Sequence, residues 1–279
     1  MSHDFYLVDV FGLGKFSGNP LAVVQDAADL DSETMQEIAR WLNFSETTFL
    51  LPPETDRGDY RVRIFTLERE LPFAGHPTLG SCRAWLAAGG IAKDKQLIVQ
   101  ECGAGLVRIR AEHRLAFAAP PLIRSGPVDF TKRAELACVL NIAVSEILDA
   151  QWVDNGPGWI AVLLASAEDV LKLEPVRHYP TRVDLGVVGA YAPGGSVSFE
   201  LRAFFSDHHG ALIEDPVTGS LNASVAQWLI GTGRARAPYV AAQGTRLGRA
   251  GRIYIDADPQ GDVWLGGDTH ILFSGKTHF

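Results

Sequence analysis

Two stretches of the chain, RIFTLERELPFAGHPTLGSCRA (63–84) and RAFFSDHHGALIEDPVTGSLNA (202–223), align without a gap. They share Arg63/Arg202, Phe65/Phe204, Pro77/Pro216, Gly80/Gly219, Ser81/Ser220 and Ala84/Ala223, always 139 residues apart. Six matches in one register restrict the fold strongly, because a duplicated segment folds as two copies of one supersecondary unit. Each copy reads as a strand, then [H/D]-P-x-x-G-S, then an apolar helix. The expectation is an α+β chain of two pseudo-symmetric domains, and 279 residues suffice for two ordinary cores. The turn-rich APPLIRSGP places the boundary near residues 120–130. That gives domains over 1–122 and 123–279, with a return of the extreme C-terminus to the first domain left open.

Local patterns fill in the elements. FYLVDVF and LAVV read as strands joined by GLGKFSGNP, a loop that fits neither GxGxxG nor GxxxxGK[ST] and precedes a strand rather than a helix. TMQEIARWLNF puts Met35, Ile38, Trp41 and Leu42 on one helical face, and Thr34 with Glu37 has the form of a capping box. Two further helices are expected near 78–88 and 218–230, amid a larger number of short strands.

A net charge of −8 and no run of Lys or Arg argue against a nucleic-acid partner, since phosphate binding needs a basic patch. A small molecule is the expected partner. Cys82, Cys102 and Cys138 are odd in number and widely spaced, as in a reduced, cytoplasmic protein. No apolar stretch approaches the roughly 20 residues of a spanning helix, so no membrane partner is expected. Asp207, His208 and His209 are adjacent rather than at i, i+4 spacing, and no metal site is expected there.

The chemistry concentrates in three places. Both copies of the motif open a helix, and helix N-termini attract anions through unpartnered N–H groups and the helix dipole. Two such ends facing each other across a groove would suit a small carboxylate. Within the motif the copies differ chemically at the residue before proline, His76 in one and Asp215 in the other. Asp215 has capping as a structural explanation; His76 is a poor cap. Glu46, in NFSETTFLLP, lies where a helix hands over to a strand, with no Lys or Arg within five residues. A carboxylate so placed, among Ser45, Thr47 and Thr48, is suited to desolvation and a raised pKa, as a proton carrier needs. Phe73, Trp159 and Tyr191 are read first as core residues.

The blocks GNPLAVV, NFSETTFL, ELPFAGHPTLG, EDPVTGS and QGTRLGRAGRI occur in order along nearly the whole chain, which resembles the phenazine-biosynthesis isomerase-like (PhzF-like) family. The resemblance implies two domains, each a mixed β-sheet wrapped around a central helix as in diaminopimelate epimerase, and a homodimer. It further implies Glu46 as general acid/base, His76 and Asp215 holding the substrate, and the amides of Gly75, Gly219 and Ser220 binding its carboxylate. Ser45 and Thr218, inside the same motifs, join the substrate-binding set. No cofactor is expected. The cysteine pair that serves the racemases of this fold is missing from both motifs.

The function expected is a cofactor-independent isomerase that moves a proton between carbons of a small carboxylate. A racemase or epimerase is the alternative within enzymes, and a non-catalytic small-molecule binder is the alternative outside them.

Overall fold

The matched arginines of the repeat explain themselves in three dimensions. Arg63, on the strand Tyr60–Phe65, forms an ion pair with Glu70 on the short strand beside it and lies 5.1 Å from the ring of Phe65. Arg202, on the strand Phe199–Ser206, does the same with Glu214 on Leu212–Asp215 and lies 4.9 Å from the ring of Phe204. Residues i and i+2 share a strand face, so an Arg-x-Phe pair stacks naturally while the guanidinium reaches the neighbouring strand.

This computed structural model describes residues 2–94, 96–207 and 209–279. The chain divides into two compact units, Met1–Ala118 with Trp264–Phe279, and Ala119–Val263. The chain's last strand, Thr269–Lys276, thus sits in the first unit, antiparallel to Asp4–Val10.

In the first unit, Asp4–Val10 and Asn19–Val24 form an antiparallel pair whose glycine-rich connection is pinned by Asp9, which accepts from the N–H groups of Ser17 and Gly18. Next comes a parallel partner, Thr47–Leu51, then Tyr60–Phe65 antiparallel to it and Leu97–Cys102 parallel again. Helix α1 spans Ser32–Leu42. Its cap is Asp31, whose side chain accepts from the Thr34 N–H. The capping box expected at Thr34 and Glu37 is therefore corrected: an Asp one turn earlier starts the helix sooner and makes Thr34 an interior residue. Met35 is fully buried but Trp41 is 84 % exposed, so the apolar face is narrower than its spacing suggests.

Helix α2, Gly75–Ala87, is buried over nearly its whole first two turns. It touches the strands Asp4–Val10, Asn19–Val24, Thr47–Leu51, Tyr60–Phe65, Leu115–Ala118 and Thr269–Lys276, so the sheet wraps around it. Over those two turns the helix has no solvent side and needs small residues where strands press close. A Cβ on Gly80 would lie 2.5 Å from Cδ2 of Leu21.

In the second unit, two helices not expected from the sequence, α3 (Phe130–Leu140) and α4 (Ala167–Lys172), flank the sheet and share a core with Leu185, Val187 and Phe204. Helix α5, Gly219–Gly231, is the central one, buried through its first two turns. It packs against Asp149–Asp154 and Gly251–Ala257. The repeat register that aligns Tyr60 with Phe199, the first residues of matching strands, does not carry into the helices. Helix α2 starts at Gly75 with Pro77 inside its first turn, whereas α5 starts at Gly219, three residues after Pro216. The proline of the motif thus lies inside the first turn of α2 but ahead of α5. Among the described residues no helix is long and apolar enough to cross a membrane.

Candidate active site

Glu46 owes its position to the end of α1. Asn43 adopts a left-handed conformation (φ 58°) and closes the helix with its N–H on the Ala39 carbonyl, so the chain reverses and enters Thr47–Leu51 directly. The strand is then locked: Ala22 pairs with Thr47, the Thr48 hydroxyl donates to the Ala22 carbonyl, and the Ser81 hydroxyl of α2 donates to Thr48 Oγ1 at 2.9 Å. Ser81, matched to Ser220 in the repeat, thus braces the strand that begins one residue after Glu46.

His76 lies in the first turn of α2, 3 % exposed. Its Nε2 is 3.5 Å from Oε2 of Glu46, whose side chain is 16 % exposed. Burial strips the imidazolium of solvation and brings the His76 pKa down to about 3, so the ring is neutral and the contact is not an ion pair. Nδ1 faces the Asn19 amide nitrogen at 3.5 Å. A donor at Nδ1 leaves the ring proton on Nε2, the nitrogen that faces Glu46. The hydroxyl of Thr47 and Nε2 of His76 are buried and make no hydrogen bond among the described residues. Leaving such groups unsatisfied costs about 1–3 kcal/mol each, which marks this place as built for something other than stability.

Ser45 and Glu46 are consecutive, both half-buried, and Gly75 directly precedes His76 at the first position of α2. The structure therefore brings together Ser45, Glu46, Gly75 and His76 within the first unit.

Asp215, Thr218, Gly219 and Ser220 form a second group around the start of α5. Thr218 Oγ1 donates to Asp215 Oδ2 at 2.5 Å, and Thr218 stands at the N-cap position of α5. Ser220 is held from both sides: its carbonyl accepts from Asn155 Nδ2 at 2.9 Å and its hydroxyl from Trp159 Nε1 at 3.0 Å. Trp159 is buried, as expected of a core residue, and carries this bond as well. Phe73 packs edge-on against Phe117, and the Tyr191 hydroxyl donates to Glu200.

Asn19, Asn155 and Gln243 are the residues the sequence reading missed. Asn19 and Gln243 stand inside two of the motif blocks, where a buried amide beside a Gly or Pro was the available signal. Among the described residues no three His, Cys, Asp or Glu side chains are placed to hold a metal. Asp207 accepts from the N–H groups of His209 and Ala211 in a turn, while His208 lies outside the described residues.

Relatives align along the whole chain. Antisense-enhancing sequence 1 of Schizosaccharomyces pombe is 35 % identical, covering 99 % of this chain and 98 % of its own. Trans-2,3-dihydro-3-hydroxyanthranilate isomerase of Pseudomonas aeruginosa is 33 % identical over 93 % of this chain and 92 % of its own. The crystal structure of a phenazine biosynthesis protein of the PhzF family from Enterococcus faecalis superposes with a TM-score of 0.80 at 25 % identity, each chain covered completely. The fold is of the diaminopimelate epimerase-like type, and the chain is an enzyme of the isomerase class. With residues 8–275 matched by the model of the phenazine biosynthesis-like proteins, the chain belongs to that family.

Proposed function

We propose that this enzyme moves a proton between two carbons of a small carboxylate without a cofactor, and that Glu46 carries the proton. The observation behind this reading is the pairing of a mostly buried Glu46 carboxylate with a neutral His76 across 3.5 Å. A carbon acid next to a conjugated or carboxylated centre is removable when the enolate-like charge that develops is met by oriented donors. Here the donors of the first unit are the Nε2–H of His76 and the amide of Gly75; those of the second unit, the amides of Gly219 and Ser220 at the start of α5, are a set of their own. Glu46 takes the proton from one carbon and, as a carboxylic acid, returns it to another, so the enzyme ends as it began.

The neutrality of His76 suits this chemistry. A neutral imidazole can donate one hydrogen bond and keep its own proton, which leaves proton transfer to the carboxylate. Asp215, Thr218 and Ser45 are assigned to holding the substrate's other polar groups. A relative named for isomerising a dihydro-3-hydroxyanthranilate, itself a small carboxylate, supports the substrate class.

The test is exchange. Candidate carboxylates incubated with the enzyme in deuterium oxide should acquire deuterium at the carbon undergoing transfer, and the Glu46→Gln variant should not catalyse this. Binding without exchange by the wild-type enzyme would favour a pure binder, and undiminished exchange by the variant would remove Glu46 from the reaction.

A further inference from the structure

We infer that Gln243 is a positioning residue that sets where α5 begins and so presents the amides of Gly219 and Ser220 to a carboxylate. Gln243 ends the strand Tyr239–Gln243, is fully buried, and spends its whole amide on the helix start. Its Oε1 accepts from the Thr218 N–H at 3.0 Å and from Asn222 Nδ2 at 2.7 Å. Its Nε2 donates to the Asp215 carbonyl at 3.1 Å and to Thr218 Oγ1 at 2.9 Å.

Two of these bonds decide the register. A helix capped at Asp215 would use the Asp215 carbonyl for the N–H of Gly219 four residues on. Gln243 occupies that carbonyl, and it also occupies the Thr218 N–H. The first intrahelical bond therefore runs from Asn222 to Thr218, and Gly219, Ser220 and Leu221 stand ahead of it as the N–H groups of the first turn. A second effect concerns Asp215. Because Gln243 donates to Thr218 Oγ1, the Thr218 hydroxyl proton is directed at Asp215 Oδ2.

The first unit supplies the contrast. Gln100 is equally buried and also donates to a threonine hydroxyl at a helix start, Thr78, but its Oε1 is occupied by the Tyr60 hydroxyl. It leaves the backbone alone, and the Thr78 N–H bonds to the Ala74 carbonyl in ordinary helical fashion. The helix there starts at Gly75. The glutamine that takes the backbone is the one whose helix starts late.

This inference rests on the proposed carboxylate role of the α5 start, and the experiment separates the two. Full-length protein labelled with nitrogen-15 is titrated with acetate, and amide exchange is followed at Thr218, Gly219 and Ser220. In wild type the Thr218 amide should be protected at least tenfold more than that of Gly219, and acetate should shift the Gly219 and Ser220 resonances saturably. In Gln243→Glu, which retains the acceptor but replaces the donor with a carboxylate oxygen facing the Asp215 carbonyl, acetate affinity should fall at least tenfold while α2 resonances stay in place. Unchanged affinity in a folded Gln243→Glu protein would overturn the positioning role, as would a wild-type Thr218 amide that exchanges as fast as that of Gly219, a result that needs no variant. Wild-type protection at Thr218 with no acetate shift would instead sink the carboxylate role and leave the clamp a structural device.

Discussion

Glu46 Oε2 and His76 Nε2 stand 3.5 Å apart, and the imidazole in that contact is neutral. A carboxylate and a neutral ring have separable tasks, since one can gain a proton while the other offers one in a hydrogen bond. Glu46→Gln keeps the size of the side chain and its ability to face His76 but cannot accept a proton. Turnover should fall by about 10²–10⁴-fold, the usual contribution of general acid–base catalysis, or further if Glu46 performs both transfers. The removed charge lies in a poorly solvated place, so stability should stay equal or rise. Steady-state kinetics and thermal unfolding of the same preparation check both halves.

His76 ties stability to pH. Its folded-state pKa, about 3, lies below the ordinary 6.5 because burial disfavours the cation. Between those values the unfolded chain binds a proton that the folded chain refuses, so the folded state loses ground as pH falls from about 6.5 toward 3. The slope is up to about 1.4 kcal/mol per pH unit, or about 2 kcal/mol between pH 6.5 and 5. His76→Gln removes the titrating group, and its urea-unfolding free energy should decline less over that interval. Equal pH slopes in the two proteins would show that His76 is solvated in the native state.

The two arginines of the repeat should differ sharply in their worth although each makes two bonds to its glutamate. Arg202 is 4 % exposed, pairs with Glu214 through two bonds and donates to the carbonyls of Val170 and Leu173. Arg63 pairs with a Glu70 that is itself well exposed. Arg202→Met strands the mostly buried carboxylate of Glu214 and should cost about 3–5 kcal/mol, whereas Arg63→Met should cost about 0–1 kcal/mol. Urea denaturation of both variants measures the difference.

The duplication was legible because it rests on backbone-compatible residues, arginine, glycine and proline, that keep their identity when a hairpin and helix are reused. The place of Glu46 at a helix-to-strand junction was legible because a helical pattern ends just before it and an apolar strand pattern begins just after it. Other features depended on distant chain. The start of α5 was read to within a residue, but α2 begins at Gly75, three residues before the expected 78, because Pro77 fits a first helical turn and does not mark its edge. The cap of α1 was misplaced because Asp31 and Thr34 both have capping chemistry, and packing chooses between them. Trp41 obeys the helical spacing yet faces solvent, since spacing identifies a face but not how much of it the sheet covers.

Whether one base or two carries the proton is the remaining distinction between an isomerase and an epimerase. In the first unit Glu46 faces a neutral donor rather than a second base, and its matched position in the repeat, residue 185, is a leucine, fully buried. One base that both takes and returns the proton can keep the same hydrogen. A substrate deuterated at the donor carbon should then deliver part of its label to the acceptor carbon in a single turnover, with the rest lost because a carboxylic acid exchanges with water whenever it meets solvent. Two bases on opposite faces of one carbon give another pattern, since the incoming hydrogen comes from the second base and carries no label. Partial return of deuterium, measured by mass spectrometry of single-turnover product, is the outcome expected of Glu46 acting alone. Complete replacement by solvent hydrogen, together with an Asp215→Ala variant that loses exchange in one reaction direction only, would instead point to stereochemical inversion.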